Sequence, residues 1–154
     1  MSFCFLDSSA LVKRYVEEPG SGWIRELAAS ADENRLIIAR VAWVEVLSAF
    51  ARRQREGSLA MNDVKQTIAA FRSDLNLEYQ VTEIDRTLAE LAGELVIRYP
   101  LRAYDAIQLA SAHLIHTSLT QMGFQGLTFV SADERLLAIA AAEGMAVDNP
   151  NHHT

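Results

Sequence analysis

Cysteine is almost missing from this chain. Cys4 stands alone, so no internal disulfide is available and the fold must hold by packing, with Cys4 read as a small buried residue of a strand. Proline and glycine are sparse, three and seven among 154 residues, and no Pro-, Gly- and Ser-rich tract or internal repeat divides the sequence. No stretch approaches the roughly 20 apolar residues that a membrane-spanning helix needs. The apolar part of the opening MSFCFLDSSALVK is too short for a signal-peptide core and no basic residue precedes it, so a soluble, cytoplasmic protein with no membrane partner is expected. Basic charge is in deficit: 14 Lys and Arg against 20 Asp and Glu leave a net charge of -6. That balance argues against a protein that coats nucleic acid through bulk charge.

What is present is a globular composition, half hydrophobic and 22% charged. At this length roughly two thirds of the unfolded chain's surface can be buried, which suits one domain. FCFLD (3–7) predicts a buried strand and SSALVKRYVEE a helix, with Leu11, Val12, Tyr15 and Val16 at helical spacing and a stop at Pro19-Gly20. SGWIRELAAS predicts a short helix with Ser21 as its cap, RLIIA (35–39) a strand, and VAWVEVLSAFARRQREG a long helix ended by Gly57. Residues 62–75 and 85–98 read as amphipathic helices around a strand at YQVTEI, and Pro100 interrupts before the helix in LRAYDAIQLASAHL. LTFVSADERLLAIAAAEGM adds a strand and a final helix, with MAV as a last short strand. Alternating strands and helices imply a mainly parallel central sheet covered on both faces, a three-layer α/β/α domain over 1–148. Residues 149–154, which carry His152 and His153, read as a flexible tail.

Ligands of such sheets bind at the carboxyl ends of the strands. Asp7 closes the first strand and Asp133 follows LTFV; Glu45 and Asp105 lie in helices whose other residues are mostly apolar. Taken singly, each has an ordinary explanation. Asp7 caps the helix after it; SADE makes a capping box of Ser131 and Glu134 with Asp133 as a first-turn charge; Glu45 and Asp105 pair with Arg40, Arg102 or another cation. Together, four acids converging on one sheet edge repel one another unless a divalent cation joins them, and all-oxygen ligation favours Mg2+ or Mn2+ over zinc. Mg2+ is normally completed by waters and substrate phosphates, which points to phosphodiester or phosphoryl chemistry. His113 and His116, three apart, have no second cluster of ligands beside them. Arg52, Arg53 and Arg55 form the densest basic patch, explained at its simplest as cations at a helix C-terminus.

On these residues the chain resembles the PIN-domain family, and within it the VapC-type toxin ribonucleases, over about residues 3–148. FLDSSALVKRYVEEPGS resembles the family's opening strand, acid and helix; WVEVLSAFARR its Glu-bearing helix; LRAYDAIQLASA its most distinctive segment; and FVSADERLL its last acid. The resemblance implies a PIN-like fold and a Mg2+ or Mn2+ site made by Asp7, Glu45, Asp105 and Asp133, with Ser8 and Ser131 as supporting polar groups. It implies in-line attack of a water on an RNA phosphate, assisted by one or two cations, and no side-chain nucleophile. It also implies silencing by a small antitoxin protein and a homodimer. Lys13, Arg14, Arg52 and Arg53 are then candidate phosphate contacts. The alternative is a catalytically silent PIN-like module that binds RNA or protein and keeps a structural cation. A haloacid-dehalogenase-like phosphatase is disfavoured because SSAL follows Asp7 where that family has a second Asp two positions on.

Overall fold

The computed structural model describes residues 1–153. Its centre is a sheet of five strands, β1 (Ser2–Leu6), β2 (Asn34–Ala39), β3 (Gln80–Thr82), β4 (Leu127–Val130) and β5 (Ala146–Asp148). Their spatial order is β3-β2-β1-β4-β5 and every pairing is parallel. The expected three-layer α/β/α architecture with a parallel sheet is what forms. All strands point the same way, so the residues leaving β1, β2 and β4 emerge along one edge, and the chain order reverses across β1 between β2 and β4.

Alternation along the strands sends successive side chains to opposite layers. Phe5, Ile37 and Phe129 face one layer, where they pack with Leu88 and Leu95 of α5 (Arg86–Arg98), Leu109 of α6 (Ala103–Gln121) and Leu136 of α7 (Glu134–Ala142). Cys4, Leu6, Leu36 and Ile38 face the other, with Leu11 of α1 (Ser8–Tyr15), Ile24 of α2 (Ser21–Ala29), Phe50 of α3 (Val41–Arg55) and Phe71 of α4 (Met61–Leu77). Strands covered twice are apolar throughout, which is why FCFL and LIIA show no polar alternation. Cys4 is buried as expected, and burial pushes its thiol up to about 11. No helix is long and apolar enough to cross a membrane among the described residues.

Several local readings are corrected. Ser21 is the first residue of α2 and not its cap; Gly20, at φ 87, holds that position, while the Ser21 hydroxyl accepts from Glu18 N and donates to the Val16 carbonyl. The SADE segment is not a capping box: Asp133 itself caps α7, accepting from the Arg135 and Leu136 amides, and Glu134 instead accepts from Asn149. Residues 149–153 are not a loose tail. Asn149 and Pro150 are buried, Pro150–His152 forms a 3-10 turn, and the His153 ring stacks on Trp23 with centroids 4.1 Å apart. The backbone of Pro150 lies against Gly20, where a Cβ would collide with it. Thr154 lies outside the described residues.

Candidate active site

The carboxyl edge of the sheet gathers the candidate acids because three strands end there and α6 begins there. Asp7 leaves β1 and caps α1; its Oδ1 accepts from Ala10 N at 3.0 Å and from Ser9 Oγ at 2.7 Å, and its Oδ2 accepts from Ser131 Oγ at 2.6 Å. The carboxyl is buried, and that burial pushes its pKa up to about 6 against the lowering effect of these hydrogen bonds, with Glu45 adding a further upward push. Glu45, on α3, accepts from Gln108 Nε2 at 2.8 Å. Its pKa is raised first by burial and then by Asp105, while hydrogen bonds from Gln108 and Ser8 act the other way. Asp105, in the first turn of α6, is raised by burial and by Asp133, opposed by Arg102 and Arg135.

The four acids therefore form a line of neighbours, Asp7 to Glu45 to Asp105 to Asp133, each feeling the next. They do not form a closed cage. Among the described residues no three Asp, Glu, His or Cys side chains are grouped closely enough to enclose a metal ion. Asp7 is buried beneath the surface, Glu45 opens into a cleft of about 790 Å³, and Asp105 and Asp133 line a smaller cavity of about 200 Å³. Arg102 lines both spaces. Arg40 pairs with Glu83 and not with Glu45. The ion-pair explanation therefore fails for Glu45 with Arg40, and keeps a trace in the nearness of Arg102 and Arg135 to Asp105.

Of the expected polar supports, Ser131 binds Asp7 directly, and Ser8 lines the same cleft as Glu45. Ser9 had not been singled out. Its hydroxyl donates to Asp7, accepts from Ala132 N at 2.9 Å and lies 3.3 Å from Ser131 Oγ, joining the exits of β1 and β4. The signal was the second serine after Asp7, since a hydroxyl at that place in the first helical turn can reach the capping carboxylate. Gln108 was also missed; one turn of α6 beyond Asp105, it holds Glu45 across the α3–α6 contact and its own Oε1 is buried without a partner.

The basic candidates divide. Lys13, Arg52 and Arg53 line the large cleft, but Glu18 binds both Lys13, at 3.2 Å, and Arg53. Arg52 has no such partner among the described residues. Arg14 does not reach the cleft. It sits at the far end of α1, donating to Tyr79 Oη at 2.7 Å and to Glu78 at 2.6 Å, so its reading as a phosphate contact is withdrawn. His116 accepts from Leu127 N, and His113 lies 3.8 Å from Glu143, so both serve the packing of α6.

A parallel α/β sandwich with a line of acids along the carboxyl edge of its sheet defines a site for chemistry on charged, oxygen-rich groups. The chain belongs to the PIN-domain family, whose model, described as PIN domain, matches residues 4–142. It is 30% identical over 151 residues to "Ribonuclease VapC46" of Mycobacterium tuberculosis, covering 98% of this chain and 100% of that one. It is 29% identical over 147 residues to "Ribonuclease VapC45" of the same species, covering 96% and 95%. In fold it is similar to VapBC2 from Rickettsia felis, crystallised with a DNA fragment from its promoter, at a TM-score of 0.65, 13% identity and coverage of 96% and 98%. It is likewise similar to Mycobacterium tuberculosis VapC20, described as a Sarcin-Ricin loop cleaving toxin, at 0.63, 19%, 93% and 96%.

Proposed function

We propose that this chain is a metal-dependent endoribonuclease that hydrolyses RNA phosphodiester bonds as the toxin of a VapC-type toxin–antitoxin pair. The observation that carries the reading is the line of mutually coupled acids, Asp7, Glu45, Asp105 and Asp133, beside a cleft walled by Arg52 and Arg102. The ribonuclease names of the full-length relatives support it. An antitoxin partner is supported by the toxin–antitoxin complex from Klebsiella pneumoniae, which shares the fold at a TM-score of 0.60 and 20% identity. A homodimer in the cytoplasm completes the proposal.

The residues fit a divalent cation. The donors are all carboxylate oxygens, and three of the four carboxyls are raised by burial and by their neighbours, a repulsion that a cation removes. An open line suits Mg2+ or Mn2+ better than Ca2+, since Mg2+ keeps several waters and takes only one or two carboxylates with the substrate's phosphate oxygens. Asp105 and Asp133, which line the same cavity, would hold the ion, with Glu45 in the neighbouring cleft and Asp7 buried behind it. Once bound, the ion supplies Lewis-acid stabilisation of the phosphate and a lowered pKa for water.

The chain's own residues do the positioning. Ser9 and Ser131 fix both oxygens of Asp7, Gln108 fixes Glu45, and the α7 amides fix Asp133. Three of the four carboxylates are thus held before substrate arrives, the pre-organisation on which in-line displacement depends. Arg102, between the two cavities, is placed to meet the negative charge that builds on the phosphate.

The test is cleavage of a mixed set of RNAs by purified protein with Mg2+ or Mn2+, run beside EDTA and beside Asp105→Asn with its fold checked by circular dichroism. Loss of cleavage in both controls, by at least a hundredfold, is expected. Intact RNA in every lane, with Mg2+ still raising the melting temperature of wild type alone, would instead establish the silent cation-binding module.

A further inference from the structure

We infer that Tyr104 is a nucleobase-stacking residue: one base of the RNA in the cleft lies on the Tyr104 ring. The inference rests on the RNA-cleaving reading of the site and adds to it a residue that holds a base. Three of the four tyrosines are fully employed in the fold. Tyr15 and Tyr79 share a hydrogen bond of 2.7 Å, and Tyr99 donates to Glu143 at 2.8 Å. Tyr104 has no hydrogen bond, ring pair or guanidinium contact among the described residues, and 58% of it is exposed.

Its position is specific. Tyr104 is the second residue of α6, directly before Asp105, and its side chain lines the same cleft as Glu45. Val44, directly before Glu45, lines that cleft as well and is 62% exposed. Each cleft-side helix thus presents an apolar surface to solvent immediately beside an acid. A lone exposed apolar side chain needs no explanation, but a flat, unpaired ring in the same cleft as the Arg52 and Arg102 guanidiniums and the Glu45 carboxylate matches what a nucleotide presents. The phosphates would be met by the cations, and the base by an aromatic face.

Charge favours RNA over a protein segment as the occupant. Arg52 and Arg102 line the cleft and neither is ion-paired among the described residues, whereas Lys13 and Arg53 are neutralised by Glu18. Two unpaired cations, one on α3 and one at the start of α6, in a cleft that also bears a ring, suit a chain of alternating phosphates and bases. Stacking requires a base free of its helix, so a duplex cannot offer it; recognition of RNA through splayed bases on aromatic rings is the general pattern.

The experiment measures binding by fluorescence anisotropy in the Asp105→Asn background with Mg2+ present, so that nothing is cleaved. Three probes are used: a single-stranded RNA that the wild type cleaves, the same strand annealed to its complement, and an abasic ribose-phosphate chain of equal length. The parent is expected to bind the single strand roughly tenfold more tightly than the abasic chain or the duplex. Adding Tyr104→Ala should remove most of that preference while leaving abasic binding as it was, and Tyr104→Phe or Tyr104→Trp should restore it. A parent that prefers none of the probes overturns the stacking role, as does a Tyr104→Ala variant that binds all three as its parent does. Equal weakening on all three would show a structural effect or an unrelated surface role and also overturns it. If wild type cleaves no RNA and the parent binds none of a mixed set, the ribonuclease reading itself fails and this inference with it.

Discussion

Asp7 concentrates the conflict on which the site runs. It is a buried carboxyl held by three donors and pushed up to about 6, so the fold prefers it protonated while the proposed chemistry needs it ionised. Because its folded pKa lies above the ordinary value of 3.8, its contribution to stability is complete below about pH 4 and is lost as pH rises through about 6. Metal-free protein in EDTA should therefore lose about 2 kcal/mol more than Asp7→Asn does between pH 4 and pH 7. Urea unfolding of both proteins at a series of pH values reads this difference; parallel curves would mean that Asp7 ionises freely in the native state. Glu45 and Asp105 shift in the same direction, so the variant keeps a shallower slope of its own. At this scale the sequence was informative wherever a residue's place follows from chain position: all four acids lie along the expected edge. It was silent where the role depends on a contact distant in sequence. Ser9 gains its importance from Ser131 and Ala132, Gln108 from Glu45, and Arg14 loses its expected role because α1 carries it away from the cleft to Tyr79 and Glu78.

Among the elements, those recognised most fully were the ones long enough to carry a continuous apolar run or a helical period. The strands β1, β2 and β4 are apolar runs because helices cover both sides, and the amphipathic α4 and α5 announce themselves by period. The short edge strands β3 and β5, three residues each, were legible only as possibilities because so few residues carry no pattern. The segment 149–153 was misread for a related reason: polar residues near a chain end look unstructured, yet its order comes from Gly20, Trp23 and Glu134, all far away in sequence. Gly20 is needed twice over, by its φ of 87 and by the approach of the Pro150 backbone. Gly20→Ala should destabilise the protein by about 1–3 kcal/mol, lowering the melting temperature by several degrees at this size. It should also change the Trp23 emission as the His153 ring is pushed off. An unaltered melting temperature together with unaltered emission would mean that the segment is not docked in solution.

At the scale of the whole molecule, the net charge of -6 and a polyanionic substrate look incompatible, and the resolution lies in how the charges are distributed. Of the basic residues that line the cleft, Lys13 and Arg53 are spent on Glu18. Arg52 and Arg102 line it without an ion pair among the described residues. On the proposed reading, these two cations give the cleft its own attraction for RNA, whatever the charge of the rest of the surface. A single-stranded ligand loses about 0.7 from the slope of log affinity against log salt for each phosphate contact removed. Arg52→Ala should flatten that slope by about this amount and weaken binding at low salt, with less effect as salt rises. Arg53→Ala should leave the slope nearly unchanged, because that guanidinium is already occupied by Glu18. The two variants carry the same net charge, which makes the comparison decisive: if both flatten the slope equally, RNA responds to the overall field of the protein, and the cleft has no privileged cation. If Arg52→Ala alone does so, an acidic protein binds an acidic polymer through the cleft cations its fold leaves unpaired.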